Sequence, residues 1–334
     1  KNRDAHMARL KTDADYKARH DARENMPLSP GSFRKRLPPW PLGARARVDM
    51  DFRSACLKGN GIYSLMRAQP DLAAEVLLAL IIEDQPEREY GSSRFDTDLG
   101  LEYSENSHPT AFWKSPFFLF LHLAPGPALS SLLALVNFCT ERWVSDATQG
   151  RCDEVPGVKL IIGDGSAKIF PGWWQVFGWP QTNDSIRNGS LYCALDALER
   201  WLTLRLDAGE DVTSDVERML GEGNSAAIVS VLVNVAKHSP SLLTGTLAPL
   251  LTFPDLIYWD TARVKQVSNN FVSWSRSHSG QEVFDIARDW TLAPHRQKRF
   301  LDVVVELMRS DDDVARKLQS ALPSWTLPKN PKEA

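Results

Sequence analysis

Residues 127–144 read PALSSLLALVNFCTERWV. Leu129, Leu132, Leu133, Val136, Cys139 and Trp143 fall at i, i+3, i+4, i+7, i+10 and i+14. That spacing is one face of a 3.6-residue period, so the stretch predicts an amphipathic helix. Pro127 stands at its entry, where a missing N–H costs nothing. The same design lies on both sides. Pro70-Asp71 opens a helix over 72–83 that is apolar nearly all round, through Val76, Leu77, Leu78, Leu80, Ile81 and Ile82. Such a helix is buried. From Ser190 onward, Leu191, Ala194, Leu195, Leu198, Trp201 and Leu202 again share a face. A short helix over 214–220 is closed by Gly221 or Gly223, and Asn224 or Ser225 can cap the next, over 226–238. Further helices are expected at 282–290, 296–309 and 311–321, the last led by Asp311, Asp312 and Asp313.

One segment breaks the helical rhythm. Val158 to Ile162 is a β-type run, Gly163-Asp164-Gly165-Ser166 is turn chemistry, and Ala167 to Phe170 returns. Asp-Gly between two short apolar runs predicts a hairpin over 158–170. Pro171-Gly172 ends it, and Trp173, Trp174 and Trp179 crowd the next segment. These three tryptophans are either a plug between helical layers or an aromatic interaction surface.

Short recurrences point to an array. Glu141-Arg142-Trp143 returns as Glu199-Arg200-Trp201, and Leu135-Val136-Asn137 as Leu232-Val233-Asn234. Helices entered through proline recur at Pro70, Pro127 and Pro240. The expected fold is mainly α: a degenerate helical-repeat array, HEAT-like or tetratricopeptide-like, with one β-hairpin inserted near 158–170. Asn137 and Asn234 are amides inside apolar helices, and each is expected to hydrogen-bond a neighbouring helix or loop backbone and fix register, a ligand contact being the minor alternative.

Composition sets the outer limits. The 334 residues are 43% hydrophobic and 24% charged, which is ordinary globular usage and excludes a collagenous or wholly disordered chain. Residues 1–50 carry 12 Lys and Arg against 6 Asp and Glu, while the remaining 284 carry 27 against 36. The organisation read from this is a basic, exposed helical arm over 1–26, a proline-rich connector over 27–47, the helical array over 48–322 and a proline-containing tail over 323–334. The arm either contacts nucleic acid or an acidic partner, or docks near the acidic body as a solvated segment. Cys56, Cys139, Cys152 and Cys193 form no Cys-x-x-Cys pair and read as reduced thiols of a cytoplasmic protein. The longest apolar runs, 117–121 and 76–82, fall far short of the roughly 20 residues that span a bilayer. An opening of Lys-Asn-Arg, with no Met, is expected of an internal piece of something longer.

Chemistry is sparse in the one-dimensional pattern. Gly163-Asp164-Gly165-Ser166-Ala167-Lys168 tempts as a phosphate loop, but the second glycine is misplaced and Ile-Phe-Pro-Gly after Lys168 cannot open a helix. His20 and Glu24 stand four apart without a third metal ligand at motif spacing, and read as a surface pair. Glu83 with Asp84, and Asp311 to Asp313, are loop or cap carboxylates. No catalytic, cofactor-binding or metal-ligating residue is assigned, and no cofactor is expected.

Four stretches carry a family likeness: Pro116-Phe-Phe-Leu-Phe-Leu121, Leu132 to Trp143, Leu195-Asp-Ala-Leu-Glu-Arg-Trp201 and Asn224 to Ala236. Across 60–320 the chain resembles the helical-repeat region of large bacterial multidomain ATP-binding proteins, some related to the signal-transducing ATPases of antiviral defence. The family's nucleotide-binding loop has no counterpart here, so the resemblance implies a helical region and not ATP binding. The reading that results is a non-catalytic scaffold or sensor region of a larger bacterial protein, contacting other domains of a longer chain or protein partners, with no membrane. Its alternatives are an enzyme domain whose site is too dispersed to recognise, and nucleic-acid binding through the basic arm.

Overall fold

A computed structural model describes residues 50–58, 61–82, 99–101, 110–148, 157–163, 165–181, 188–270, 281–310, 312 and 315–316. The basic arm at 1–26, the connector, His20 with Glu24, Cys152, the tail and most of the polar stretch at 83–106 lie outside the described residues. Within them the chain is helical apart from one two-stranded sheet and an isolated bridge between Ile82 and Leu101.

Three helices open the body: α1 (Met50–Lys58), α2 (Tyr63–Ala68) and α3 (Pro70–Ile81). As expected, Pro70 heads α3, and the helix buries Ala73 and every residue from Leu77 to Ile81. A 3-10 turn at Phe112–Lys114 leads into α4 (Pro116–Leu123), capped by Ser115, whose hydroxyl accepts the Phe117 N–H. α5 (Pro125–Thr148) begins two residues before the expected proline. Leu129, Leu132, Leu133, Val136 and Cys139 are buried, and Trp143 packs partly buried against them.

The hairpin forms as its turn chemistry dictates. β1 (Gly157–Ile161) pairs antiparallel with β2 (Ala167–Pro171), Val158 opposite Phe170 and Ile161 opposite Ala167. Val158, Leu160 and Phe170 face the core, while Ile161 and Ile169 face outward. Gly165 has φ +80°, its N–H donates to the Ile162 carbonyl at 2.7 Å, and Ile162 N–H donates to the Ser166 carbonyl at 3.0 Å. A left-handed residue closing such a turn favours glycine. Lys168, the lysine of the rejected phosphate loop, donates to the carbonyls of Leu220 and Gly221 at 2.7 and 2.5 Å. Those carbonyls lie in the last turn of the helix over 213–222, where a cation is favoured.

After β2, Gly172 at φ +107° sits so close to Val176 that a Cβ would meet it at 2.6 Å. The short α6 (Trp174–Phe177) and a 3-10 turn at Trp179–Gln181 follow. α7 (Gly189–Asp207) is the central helix, packed against α4, α5, the 112–114 turn and α9 (Ala226–His238). α8 (Thr213–Glu222) lies between α7 and α9 in the chain and ends at Gly223. Ser225 caps α9 by accepting the Ala227 N–H. Two 3-10 turns, Pro240–Thr244 and Ala248–Thr252, precede α10 (Asp255–Asn270), α11 (Gln281–Thr291), α12 (Pro294–Gln297) and α13 (Phe300–Ser310). Pro240 therefore opens a 3-10 turn and not an α-helix. Of the helix expected over 311–321, residues 312, 315 and 316 are described, all helical.

Leu132, Leu133, Val136, Leu195, Leu198, Leu202, Ile228, Leu232 and Val235 are all buried in one cluster that runs from Ile62 to Val304. At roughly 1.5–3 kcal/mol per fully buried aliphatic side chain, that cluster dominates the stability of the body. α7 adds something its apolar face does not announce: the opposite face is buried too, and it carries Asp196, Glu199 and Thr203.

Candidate functional site: a buried ionic network beside a cavity

Glu199 is fully buried near the middle of α7. It survives there because two elements converge on it. From α12, Arg296 donates through Nε to Oε1 at 2.7 Å and through Nη2 to Oε2 at 2.9 Å, a bidentate clasp. His295 Nε2 lies 2.9 Å from the same Oε1. From α9, the Asn234 amide donates to Oε2 at 2.8 Å. Arg296 also reaches Asp196 at 2.5 Å, one turn back on α7, and lies 4.1 Å from the centre of the Trp290 ring.

The network continues through Asn234. Its carbonyl oxygen accepts from Arg263 of α10 at 2.7 Å. Arg263 also bonds the Ser230 hydroxyl and Asp260 Oδ1. Lys237 donates to Asp260 Oδ1 at 2.9 Å, and Asp260 Oδ2 accepts the Phe300 N–H at 2.7 Å. Three carboxylates (Asp196, Glu199, Asp260) thus face three obligate or near-obligate cations (Arg263, Arg296, Lys237), every one buried. Balanced charge is what allows the whole group to stay dry.

Burial and pairing pull the titrations apart. Burial opposes ionisation of Glu199, but Arg296 and His295 outweigh it and hold its pKa far below the ordinary carboxylate range. Asp196, with less help, is pushed up to about 6 by burial despite Arg296. Burial lowers Lys237 to about 8, with Arg263 adding to the shift. It also lowers His295, so that this imidazole is neutral at pH 7.

Beside the network opens a cavity of about 600 Å3. Phe112, Ile286, Trp290, Ala293 and Pro294 form its apolar wall. Arg200, Lys237, His238, His295 and Lys298 form a basic one, with Asp289 the acid among them. Lys237 and His295 belong to the network and to the wall alike. His238 lies edge-to-face against His295, ring centres 5.2 Å apart, and its Nε2 is 2.8 Å from Asp207. The arrangement can hold a ligand. The charges of the network are already fixed in pairs, and the two buried thiols offer no nucleophile: burial raises Cys139 well above its ordinary pKa and Cys193 to about 12.

The residues singled out from sequence are distributed elsewhere. Trp179 is buried, Trp173 half-buried and Trp174 exposed. Asn137 meets its expectation: its amide donates to the Glu222 carbonyl at 3.1 Å and its oxygen accepts the Asn224 N–H at 2.7 Å. Asn234 does not pair with backbone; its partners are the charged side chains of Glu199 and Arg263. Sequence reasoning missed Asp196, Glu199, Asp260, Arg263 and Arg296. The available signal was an acidic pair, Asp196 and Glu199, set in the otherwise apolar run from Leu191 to Leu198 and Trp201. Among the described residues no group of three His, Cys, Asp or Glu side chains is placed to hold a metal, and no helix is long and apolar enough to cross a membrane.

No protein-family model and no curated protein matches the chain.

Proposed function

We propose that this chain is a non-catalytic sensor region of a larger protein, and that the cavity between α7, α9 and α11–α12 is its ligand site. The observation that carries the reading is the shared wall: Lys237 and His295 line the cavity and are also members of a dry ionic network that ties α7, α9, α10 and α12 together. A ligand there changes the field felt by buried charges, and buried charges adjust by moving or by titrating. Occupancy is thereby transmitted to four helices at once.

The same proposal takes the helices as a degenerate array, supported by neighbours in sequence that pack as neighbours in space: α2 on α3, α4 on α5, α8 on α9. The resemblance to helical regions of bacterial multidomain ATP-binding proteins supports a place beside other domains, in signalling of the antiviral kind. Cys56, Cys139 and Cys193 form no disulfide with one another, which suits the cytoplasm. A second reading, docking of a protein partner, is favoured by the hairpin and the segment after it, where Ile161, Ile169 and Trp174 are exposed.

Hydrogen exchange tests the sensor reading. Ala293→Trp fills the cavity and imitates an occupant. The expected result is changed protection of α7, α9 and α10 amides as well as of α11–α12. Changes confined to α11–α12 would count against transmission through the network.

A further inference from the structure

Of the five basic groups around the cavity, four have carboxylate partners that are not themselves part of its wall: Lys237 has Asp260, His238 has Asp207, His295 has Glu199 and Lys298 has Glu306. The fifth is different. Arg200 forms no ion pair with the described residues, and its guanidinium donates no hydrogen bond to them. Its carbon instead lies 5.7 Å from the ring centre of Phe112 and 5.7 Å from that of Trp290. A cation–π contact engages the charge of a guanidinium and leaves its N–H donors unspent. Those groups form a fork that matches the two oxygens of a carboxylate or phosphate.

We infer that the cavity binds a small organic anion, its carboxylate or phosphate head on Arg200 and its apolar body against Ile286, Ala293 and Pro294. The inference rests on the cavity being the ligand site, as proposed above, and adds the ligand's chemical class and the residue that selects it. Three features agree. Arg200, Lys237 and Lys298 face the cavity, whereas Asp260 and Glu306 stand outside its wall and the wall's one acid, Asp289, pairs with Arg288, so the potential inside is positive. The aromatic cradle holds Arg200 in place before the ligand arrives, which lowers the entropy cost of binding. The cavity volume of about 600 Å3 is that of a small-molecule site.

Isothermal titration calorimetry on the full chain tests it with 2-naphthoate, 2-naphthyl phosphate and the neutral 2-naphthamide. Saturable one-site binding is expected for the carboxylate, the phosphate or both, and whichever binds more tightly identifies the head group. The amide is expected to bind at least tenfold more weakly. Arg200→Ala should reduce anion affinity at least tenfold while leaving the melting temperature near that of the wild type, because Arg200 is not part of the ionic network. Arg200→Gln serves the same purpose if the alanine variant is poorly folded. Equal binding of amide and anions, or anion binding indifferent to Arg200, overturns the anion assignment. If Ala293→Trp still blocks all three probes in that case, the cavity stands as a ligand site and only the ligand class falls. If no probe binds, or Ala293→Trp blocks none, both fall.

Discussion

Glu141-Arg142-Trp143 on α5 and Glu199-Arg200-Trp201 on α7 are the same three residues on two amphipathic helices. Both tryptophans turn toward the core, Trp201 fully and Trp143 in part. The glutamates part company. Glu199 is enclosed, clasped by Arg296 and bonded by His295 and Asn234. Glu141 is half-buried, and its Oε2 has no hydrogen-bond partner among the described residues. The asparagines repeat the contrast: Asn137 bonds backbone at the end of α8, whereas Asn234 bridges a carboxylate and a guanidinium. An identical local sequence leaves its glutamate half-buried and without a partner among the described residues in one place and makes it the keystone of a buried network in the other. The helix supplies the residue, and the elements that happen to cover it supply its role.

The sharpest test of that contrast is to neutralise each glutamate. Glu199→Gln leaves Arg296 with Asp196 alone, a buried cation short of countercharge, and should cost about 3–5 kcal/mol. Glu141→Gln should change stability by no more than ~0.5 kcal/mol, since no pairing is lost. Urea unfolding reads both, and equal costs would break the distinction between the two helices.

A smaller difference is expected between the asparagines. Asn234→Ala loses bonds to two charged groups and should cost about 2–3 kcal/mol, against about 1 kcal/mol for Asn137→Ala, whose partners are backbone groups near solvent. Chemical denaturation of the pair ranks them, and the reverse order would mean that Asn234 is not a structural bridge.

Acid titration sharpens the picture of the network. His295 in the folded chain has its pKa lowered from 6.5, so the unfolded state binds more protons below that pH and stability falls as pH drops from there through the folded value. Glu199, also lowered, acts in the same direction below 4.5. Asp196 acts oppositely: at about 6 when folded against 3.8 unfolded, it takes up its proton earlier in the native state and contributes stability as pH falls between those values. His295→Gln should therefore flatten the loss of stability below pH 6.5, and Asp196→Asn should steepen it between 6 and 4. Melting temperatures across that range decide, and slopes that move together would contradict the opposed assignments.

Least of all in stability should be the arginine pair and the outer hairpin. Arg200→Ala, Arg142→Ala and Ile169→Glu should each shift unfolding by about 0.5 kcal/mol or less. Arg200 is set apart only by what it does to anion binding. A loss of several kcal/mol at Ile169 would place the outer face of β2 in contact with other parts of the chain.

Much of the architecture was legible in the residues. Apolar spacing located α3, α5, α7 and α9 and named core positions on the first three, because burial of a helix face imposes a 3.6-residue period on any chain that folds this way. Asp-Gly between β-type runs located the hairpin, because few residues tolerate the left-handed turn at Gly165. Asn224-Ser225 before an apolar run announced a cap, and the fold gives that role to Ser225. These are local constraints, settled within a turn or two of chain. The ionic network is not. Glu199 and Arg296 stand 97 residues apart, and Glu199 and Asn234 stand 35 apart. Whether a glutamate on an amphipathic helix meets water or a guanidinium depends on which distant element packs over it, and electrostatic pairing leaves no period in the sequence. The residues alone determined α3, α5, α7 and α9, the hairpin and the apolar core, whereas α10 left no reading in the sequence and the helix expected over 296–309 is divided into α12 and α13. The tertiary structure decided that α7 is covered on both faces, that its second face carries balanced charge, and that an unpaired arginine looks into a cavity beside it.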